Sequence, residues 1–331
     1  MKKILIISLI VLMTVFSHAA TIYANSSTGN DANDGSIGNP VATFHRAYTL
    51  ASVNDTINLT GIFTLSSTTE TGDAVTSGYT IAKSLEIVGS GPDTTIIQSS
   101  TTTADRRVFT LSSAATTTIR NIAFRGGRIS SSNDGGCILN NGTTTIINIE
   151  VYSCATTADY GGGISNRGTM NISSSTIYSN SAFYGGGGIA QNFSATGNLI
   201  ATNNTIYSNT VTASGGAFYG AGVYAGSKIV TLTNNTITAN TNNSGLGSGL
   251  YAAGILYLKN NIIAHNIATS YPANADYHYA SGSTTSSGYN LIGRASTYNW
   301  ASAGDWTDTN GDSTFALVGV GTTGTVNLDT A

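Results

Sequence analysis

The segment Thr176-Ile177-Tyr178-Ser179-Asn180 returns as Thr205-Ile206-Tyr207-Ser208-Asn209, and this repetition decides the fold. The isoleucine belongs to a series of apolar residues spaced by 26 to 31 positions: Phe124, Val151, Ile177, Ile206, Ile237 and Ile263. A glycine-rich run closed by an aliphatic residue alternates with this series and ends at Ile138, Ile164, Ile189, Val223 and Leu250. Each period therefore contains one member of each series.

A period of about 27 residues is too short for a propeller blade, and the chain lacks the pattern of a leucine-rich repeat. It suits one coil of a parallel β-helix, in which short strands stack at about 4.8 Å on those of the preceding coil. In Asn204–Tyr207 the alternation directs Ile206 inward and its neighbours outward. We therefore predict an all-β protein with a parallel β-helix, or solenoid, fold.

Four successive repeats carry an asparagine three positions after the apolar residue: Asn180, Asn209, Asn240 and Asn266. Stacked Asn side chains can form a column of hydrogen bonds, and Asn tolerates the left-handed backbone of tight turns. We predict an asparagine ladder at this turn, with left-handed backbone at the Asn residues. The ladder also accounts for the many Asn-x-Ser/Thr triplets, which we therefore do not interpret as glycosylation sites.

The composition excludes several other classes of protein. Only 9% of the residues are charged, against about 25% in an average protein. The charged residues that normally cover exposed helices are therefore scarce, which argues against a helical bundle. The net charge of −3 argues against nucleic acid as a partner, and the 40% apolar content argues against disorder. Two cysteines cannot form a disulfide scaffold for 331 residues.

The two ends differ from the repeats. Residues 1–19 have the charged, apolar and small-residue regions of a signal peptide, and their apolar run is too short to span a membrane. We predict an N-terminal cap over residues 20–60 with a short helix between Val41 and Ser52, coils over 61–270, and an irregular region over 271–331. Export would permit a disulfide between Cys137 and Cys154, but two buried free thiols explain them equally well.

Most of the chain resembles secreted right-handed β-helix proteins of the pectin-lyase-like superfamily, especially those with a choice-of-anchor Q domain. The residues that carry the resemblance are Gly29 to Gly35, Asn39 to Phe44, Asp55 to Ile57, Asn260 to Asn266 and Ser287 to Gly293, and the glycine repeats are similar to those of polymorphic outer-membrane proteins. The resemblance implies a right-handed β-helix and display at the cell surface. It also implies that a surface anchor normally follows a segment such as Asn327-Leu328-Asp329, so we expect a truncated chain or a lost anchor.

The superfamily includes polysaccharide lyases and hydrolases, so a catalytic site must be considered. Between Thr116 and Ser270 the only carboxylates are Asp134, Glu150 and Asp159. A site on adjacent coils would combine Asp134 and Asp159 with Arg125 and Arg167, whereas solvated turn charges are the simpler interpretation. Near the C-terminus, Asp308, Asn310 and Asp312 alternate around a glycine turn, which suits Ca²⁺ or an ordinary Asx-rich turn.

Tyrosines offer a binding hypothesis. Tyr152, Tyr178 and Tyr207 follow the apolar residue of three successive coils and are expected to face outward. They would bind sugar rings or a partner protein, or else form a ladder that stabilises the coil surface. The scarcity of carboxylates favours a secreted or cell-surface protein that acts without catalysis in adhesion or glycan binding, with a polysaccharide or cell-surface glycan as partner. A polysaccharide lyase is the alternative.

Overall fold

A computed structural model describes residues 19–66, 78–100, 105–130, 133–213, 218–243, 245–272 and 275–295, together with three strands between residues 306 and 327. The protein is an all-β, right-handed parallel β-helix with one short helix near its N-terminus, as predicted. Most of the predicted signal peptide and the predicted Ca²⁺ ligands Asp308, Asn310 and Asp312 lie outside the described residues. Among the described residues, no helix is long and apolar enough to cross a membrane.

Each regular coil contributes a strand to each of four parallel ladders, which we number in coil order. Ladder 1 consists of eight strands: β3 (Tyr79–Ile81), β6 (Phe109–Leu111), β10 (Ile138–Asn140), β14 (Ile164–Asn166), β18 (Ile189–Gln191), β22 (Val223–Ala225), β26 (Leu250–Ala252) and β30 (Tyr277–Tyr279). Ladder 2 consists of β1 (Thr21–Asn25), β2 (Thr56–Leu65), β4 (Leu85–Gly89), β7 (Thr116–Arg120), β11 (Thr143–Ile147), β15 (Thr169–Ser173), β19 (Leu199–Thr202), β23 (Ile229–Thr233), β27 (Ile255–Lys259) and β31 (Ser283–Ser286).

Ladder 3 shares the long strand β2 with ladder 2. It continues through β5 (Thr95–Ser99), β8 (Ala123–Arg125), β12 (Glu150–Tyr152), β16 (Thr176–Tyr178), β20 (Thr205–Tyr207), β24 (Thr236–Thr238), β28 (Ile262–Ala264), β32 (Leu291–Ile292), β33 (Trp306–Thr307), β34 (Thr314–Leu317) and β35 (Thr325–Asn327). The last two strands pair antiparallel. Ladder 4 consists of β9 (Arg128–Ile129), β13 (Ala155–Thr156), β17 (Ser181–Ala182), β21 (Thr210–Val211), β25 (Thr241–Asn242) and β29 (Ile267–Ala268).

The core fills the interior of the coils, and the predicted repeat series supply much of it. All six residues of the first series are fully buried in ladder 3 and pair in register from coil to coil. The aliphatic residues that close the glycine runs begin strands of ladder 1 and are also fully buried. Both series therefore mark inward positions, because side chains alternate along a strand.

The predicted asparagine ladder is present and buried. Asn180 donates its amide to Asn209, Asn209 to Asn240 and Asn240 to Asn266, at 2.9 to 3.0 Å. The expected backbone was wrong, because the preceding residues adopt the positive φ angles: Ser179, Ser208, Ala239 and His265. The left-handed residue of each turn thus lies one position before the Asn, and the Asn side chain points inward.

Two further ladders of buried amides escaped the sequence analysis. Asn204, Asn235, Asn261 and Asn290 form a second column between ladders 2 and 3. Asn140, Asn166 and Gln191 form a third at the end of ladder 1. Buried polar groups require hydrogen-bond partners, and these columns provide partners for backbone groups in the turns that connect the ladders.

The helix α1 (Phe44–Leu50) closes the N-terminal end of the core. Thr43 caps it by accepting a hydrogen bond from the Arg46 backbone, so the helix begins later than the predicted Val41. Phe44 is buried and its ring packs against Tyr79 and Phe109, in the first two strands of ladder 1. The strand pairing already begins before the helix, since β1 pairs with β2.

The two cysteines form a disulfide, which settles the alternative that the sequence left open. Cys137 and Cys154 are both buried, with their Cα atoms 5.5 Å apart. Cys137 lies directly before β10 and Cys154 directly before β13, so the bond ties two sides of one coil together.

Candidate functional site on the outer face of ladder 1

The outer face of ladder 1 is partly shielded from solvent by neighbouring turns of the chain. Its strands direct their central residues outward, yet Leu139, Ser165, Ala190 and Tyr224 are buried. The turns before these strands fold over the face and themselves stack through bridges that link Tyr160, Gly185, Tyr219 and Leu246. The face therefore offers a sheltered site that is built from several coils.

Asp134 lies at the centre of this site. Its side chain is fully buried, and its Oδ2 atom accepts hydrogen bonds from Arg167 Nε and from Asn192 Nδ2. Arg167 Nη2 adds an ion-pair contact of 2.6 Å. Because Asp134 precedes β10, Arg167 follows β14 and Asn192 follows β18, one carboxylate connects three coils.

Asp159 supplies a second carboxyl group from the next coil, and its turn pairs with the Asp134 turn because the Gly135 N–H donates to the Tyr160 carbonyl at 3.0 Å. Burial and the neighbouring Asp134 raise the pKa of Asp159 to about 7. The backbone N–H of Tyr160 donates to Asp159 Oδ1 at 3.0 Å. Neighbouring carboxyl groups disfavour each other's ionisation, which adds to the effect of burial on Asp159.

Arg107, from the preceding coil, binds the turn that carries Asp134. Its Nε donates to the carbonyl of Gly135 at 2.8 Å, and its Nη1 lies 2.9 Å from the Thr110 hydroxyl. Burial lowers the pKa of Arg107 to about 10, which leaves the group charged at neutral pH. The sequence analysis missed Arg107, because it precedes the regular repeats and its register with Asp134 could not be read.

An open groove of about 540 Å³ is connected to Asp134 through Arg167, which lines the groove and binds the carboxylate. Its described lining consists mainly of small hydroxyl-bearing side chains, and Arg167 is its one charged member: Thr80, Thr110, Ser112, Ser113, Asn141, Arg167, Ser194 and Thr196. The loop that carries Ser194 also exposes Phe193, whose side chain is 63% accessible. The ring centroids of Phe193 and Tyr160 lie 6.1 Å apart, and those of Tyr160 and the partly exposed Tyr184 lie 5.5 Å apart. An exposed aromatic ring therefore adjoins one lining residue of the polar groove.

The structure brings three of the four predicted catalytic candidates together. Asp134, Asp159 and Arg167 meet, and Asp134 is a buried ion-pair partner rather than a solvated turn charge. Arg125 does not join them, because it faces outward from ladder 3. There its Nε donates to Gln98 at 2.7 Å and its Nη1 contacts the Tyr152 hydroxyl.

The predicted tyrosines form a stack. The rings of Tyr152, Tyr178 and Tyr207 lie 5.0 and 5.1 Å apart and are nearly parallel. Burial and the nearby Glu150 raise the pKa of Tyr178 to about 12. Because the rings cover one another's faces, the middle ring offers a sugar its edge and hydroxyl group rather than its face.

No family model matches the chain, and no curated protein sequence matches it. Among solved structures it is similar to a rhamnogalacturonan lyase, at 10% identity and a TM-score of 0.47 over 86% of this chain and 84% of the other. It is also similar to the pectate lyase Pel9A, at 14% identity and a TM-score of 0.41 over 87% and 82%. A mannuronan C-5 epimerase A-module from Azotobacter vinelandii follows, at 16% identity and a TM-score of 0.36 over 78% and 84%. These similarities concern the fold alone.

Proposed function

We propose that this is a secreted or cell-surface protein that binds an acidic polysaccharide in the groove beside Arg167. The observation that carries the proposal is the combination of exposed Phe193 with a hydroxyl-lined groove whose one charged lining residue is basic. Export is supported by the signal-peptide pattern of residues 1–19, and surface display by the resemblance to choice-of-anchor Q proteins.

The chemistry of the groove suits a chain of acidic sugars. Aromatic rings bind the apolar faces of sugars, and the exposed Phe193 directly precedes the groove-lining Ser194. Threonine and serine hydroxyls both donate and accept hydrogen bonds, as sugar hydroxyls do. Arg167 uses Nε and Nη2 for Asp134, which leaves Nη1 with two donors for a sugar carboxylate.

Replacing Phe193 with Ala is expected to weaken polysaccharide binding about tenfold, which corresponds to one lost ring contact. A glycan array would identify the ligand, and calorimetry would measure the affinity. Tyr178→Ala is the matched control, because it removes a ring of the self-stacked tyrosine column. The groove assignment would be wrong if Tyr178→Ala abolished binding and Phe193→Ala left it unchanged.

A second candidate function is polysaccharide cleavage by β-elimination, which the raised pKa of Asp159 favours. The Asp159 carboxylate would take the proton next to the sugar carboxylate, which Arg167 neutralises. That electron pair would form a carbon–carbon double bond as the adjacent glycosidic C–O bond breaks, and the leaving oxygen would take a proton from solvent.

If the protein is a lyase, products with an absorbing double bond will accumulate from acidic polysaccharides, faster as the pH rises through about 7. Asp159→Asn is expected to reduce this rate at least a hundredfold, because a general base contributes about 10²- to 10⁴-fold. Glu150→Gln, on ladder 3, is the matched control and should retain the rate. Binding without any unsaturated product would exclude this second candidate.

A further inference from the structure

We infer that one proton shared by Asp159 and Asp134 controls whether the groove accepts an anionic ligand. The inference rests on the proposed function, since it concerns regulation of the same site. In the protonated state the groove wall carries an excess positive charge, and loss of the proton removes that excess.

The hydrogen bonding around Asp134 places the proton. Asp134 Oδ2 receives Arg167 and Asn192, but the buried Oδ1 receives no donor among the described residues. An unsatisfied buried carboxylate oxygen is costly, and the turn that carries Asp159 pairs with the Asp134 turn, where the Gly135 N–H donates to the Tyr160 carbonyl at 3.0 Å. A proton on Asp159 would supply an O–H donor for Asp134 Oδ1. Asp159 is less buried than Asp134, so it is the group that exchanges its proton with solvent.

The surrounding groups determine the change in charge. Asp134 carries one negative charge, and Arg167 and Arg107 each carry one positive charge, so the cluster has a net charge of +1 while Asp159 is neutral. Ionised Asp159 brings the net charge to zero. Tyr160 also interacts electrostatically with both aspartates, and burial raises the pKa of Tyr160 to about 12, so that it stays neutral. The transition therefore belongs to Asp159, whose pKa burial and Asp134 raise to about 7.

Ionisation would also change the hydrogen bonding of Arg167. Ionised Asp159 would repel Asp134 and compete for Arg167, whose Nη1 is the donor proposed for the ligand. Deprotonation thus acts on the charge of the site and on the guanidinium that lines the groove.

The experiment compares binding of oligogalacturonate at pH 5.5 and pH 8.5. Wild-type affinity is expected to fall about tenfold, since one unit charge near the ligand is lost. Asp159→Asn should show less than a twofold change, because its amide donates to Asp134 Oδ1 at either pH. Glu150→Gln is the matched control and should keep the wild-type pH dependence. A wild-type affinity that is equal at both pH values overturns the inference, as does a full tenfold fall in Asp159→Asn.

A second measurement separates this inference from the proposed function. Carbon-13 NMR of the side-chain carboxyl groups, without any ligand, should show Asp159 titrating near pH 7. Titration near its ordinary value of 3.8 overturns the inference, whatever the protein binds. Titration near pH 7 together with no oligosaccharide bound at either pH overturns the proposed function instead.

Discussion

Asp134→Ala is expected to lower the free energy of unfolding by about 3 kcal/mol, because a buried ion pair is broken on one side. The substitution leaves Arg167 and the buried Asn192 amide without their acceptor, and the three coils that Asp134 connects lose their common contact. Arg107 also loses the neighbouring negative charge that favours its ionised form. Urea denaturation, followed by circular dichroism, measures the change.

The matched control for this prediction is Asp93→Ala. Asp93 is an exposed turn residue between β4 and β5, so its removal should change stability by no more than about 0.5 kcal/mol. A loss below about 1 kcal/mol for Asp134→Ala would contradict a structural role for the buried carboxylate. The double variant Asp134→Ala with Arg167→Ala tests the pair directly, and we expect it to be less destabilised than the sum of the single variants.

Much of the fold could be predicted because a β-helix repeats its inward positions. Ile177 and Ile206 occupy equivalent places in successive coils, so their spacing in the sequence already gives their register in the structure. The second asparagine ladder was equally accessible, since Asn204, Asn235 and Asn261 each precede the apolar residue of their coil by two positions.

The candidate site was less predictable, because it is built from turns whose lengths vary. Asp134 and Asp159 lie on adjacent coils, which the spacing of the repeats could indicate. Phe193 and Asn192 belong to a loop between β18 and β19 that has no counterpart at fixed spacing. Arg125 was misplaced for a related reason: nearness in sequence says little about which face of the coil a residue occupies.

The largest effect is expected from the asparagine ladder, where Asn209→Ala should cost about 4 kcal/mol. Asn209 is fully buried, and its side chain takes part in four hydrogen bonds. Its amide donates to the Ile177 carbonyl and to Asn240 Oδ1, and its oxygen accepts the backbone and side-chain amides of Asn180. Truncation leaves several of these buried partners unsatisfied, at about 1–3 kcal/mol each, and also opens a cavity. Asn171→Ala, exposed on ladder 2, should change stability by less than about 0.5 kcal/mol.

Asn209→Asp distinguishes hydrogen bonding from packing, because it preserves the shape and removes only the donors. Its carboxylate would face the Ile177 carbonyl and Asn240 Oδ1, two acceptors, so we expect at neutral pH a loss at least as large as that of Asn209→Ala. The chain uses a carboxylate where the ladder ends: Asp276 accepts the backbone and side-chain amides of Asn266 and the backbone N–H of Arg294. That position requires only acceptors, whereas every interior position must also donate. Denaturation of Asn209→Asp with near wild-type stability would therefore show that shape alone maintains the column.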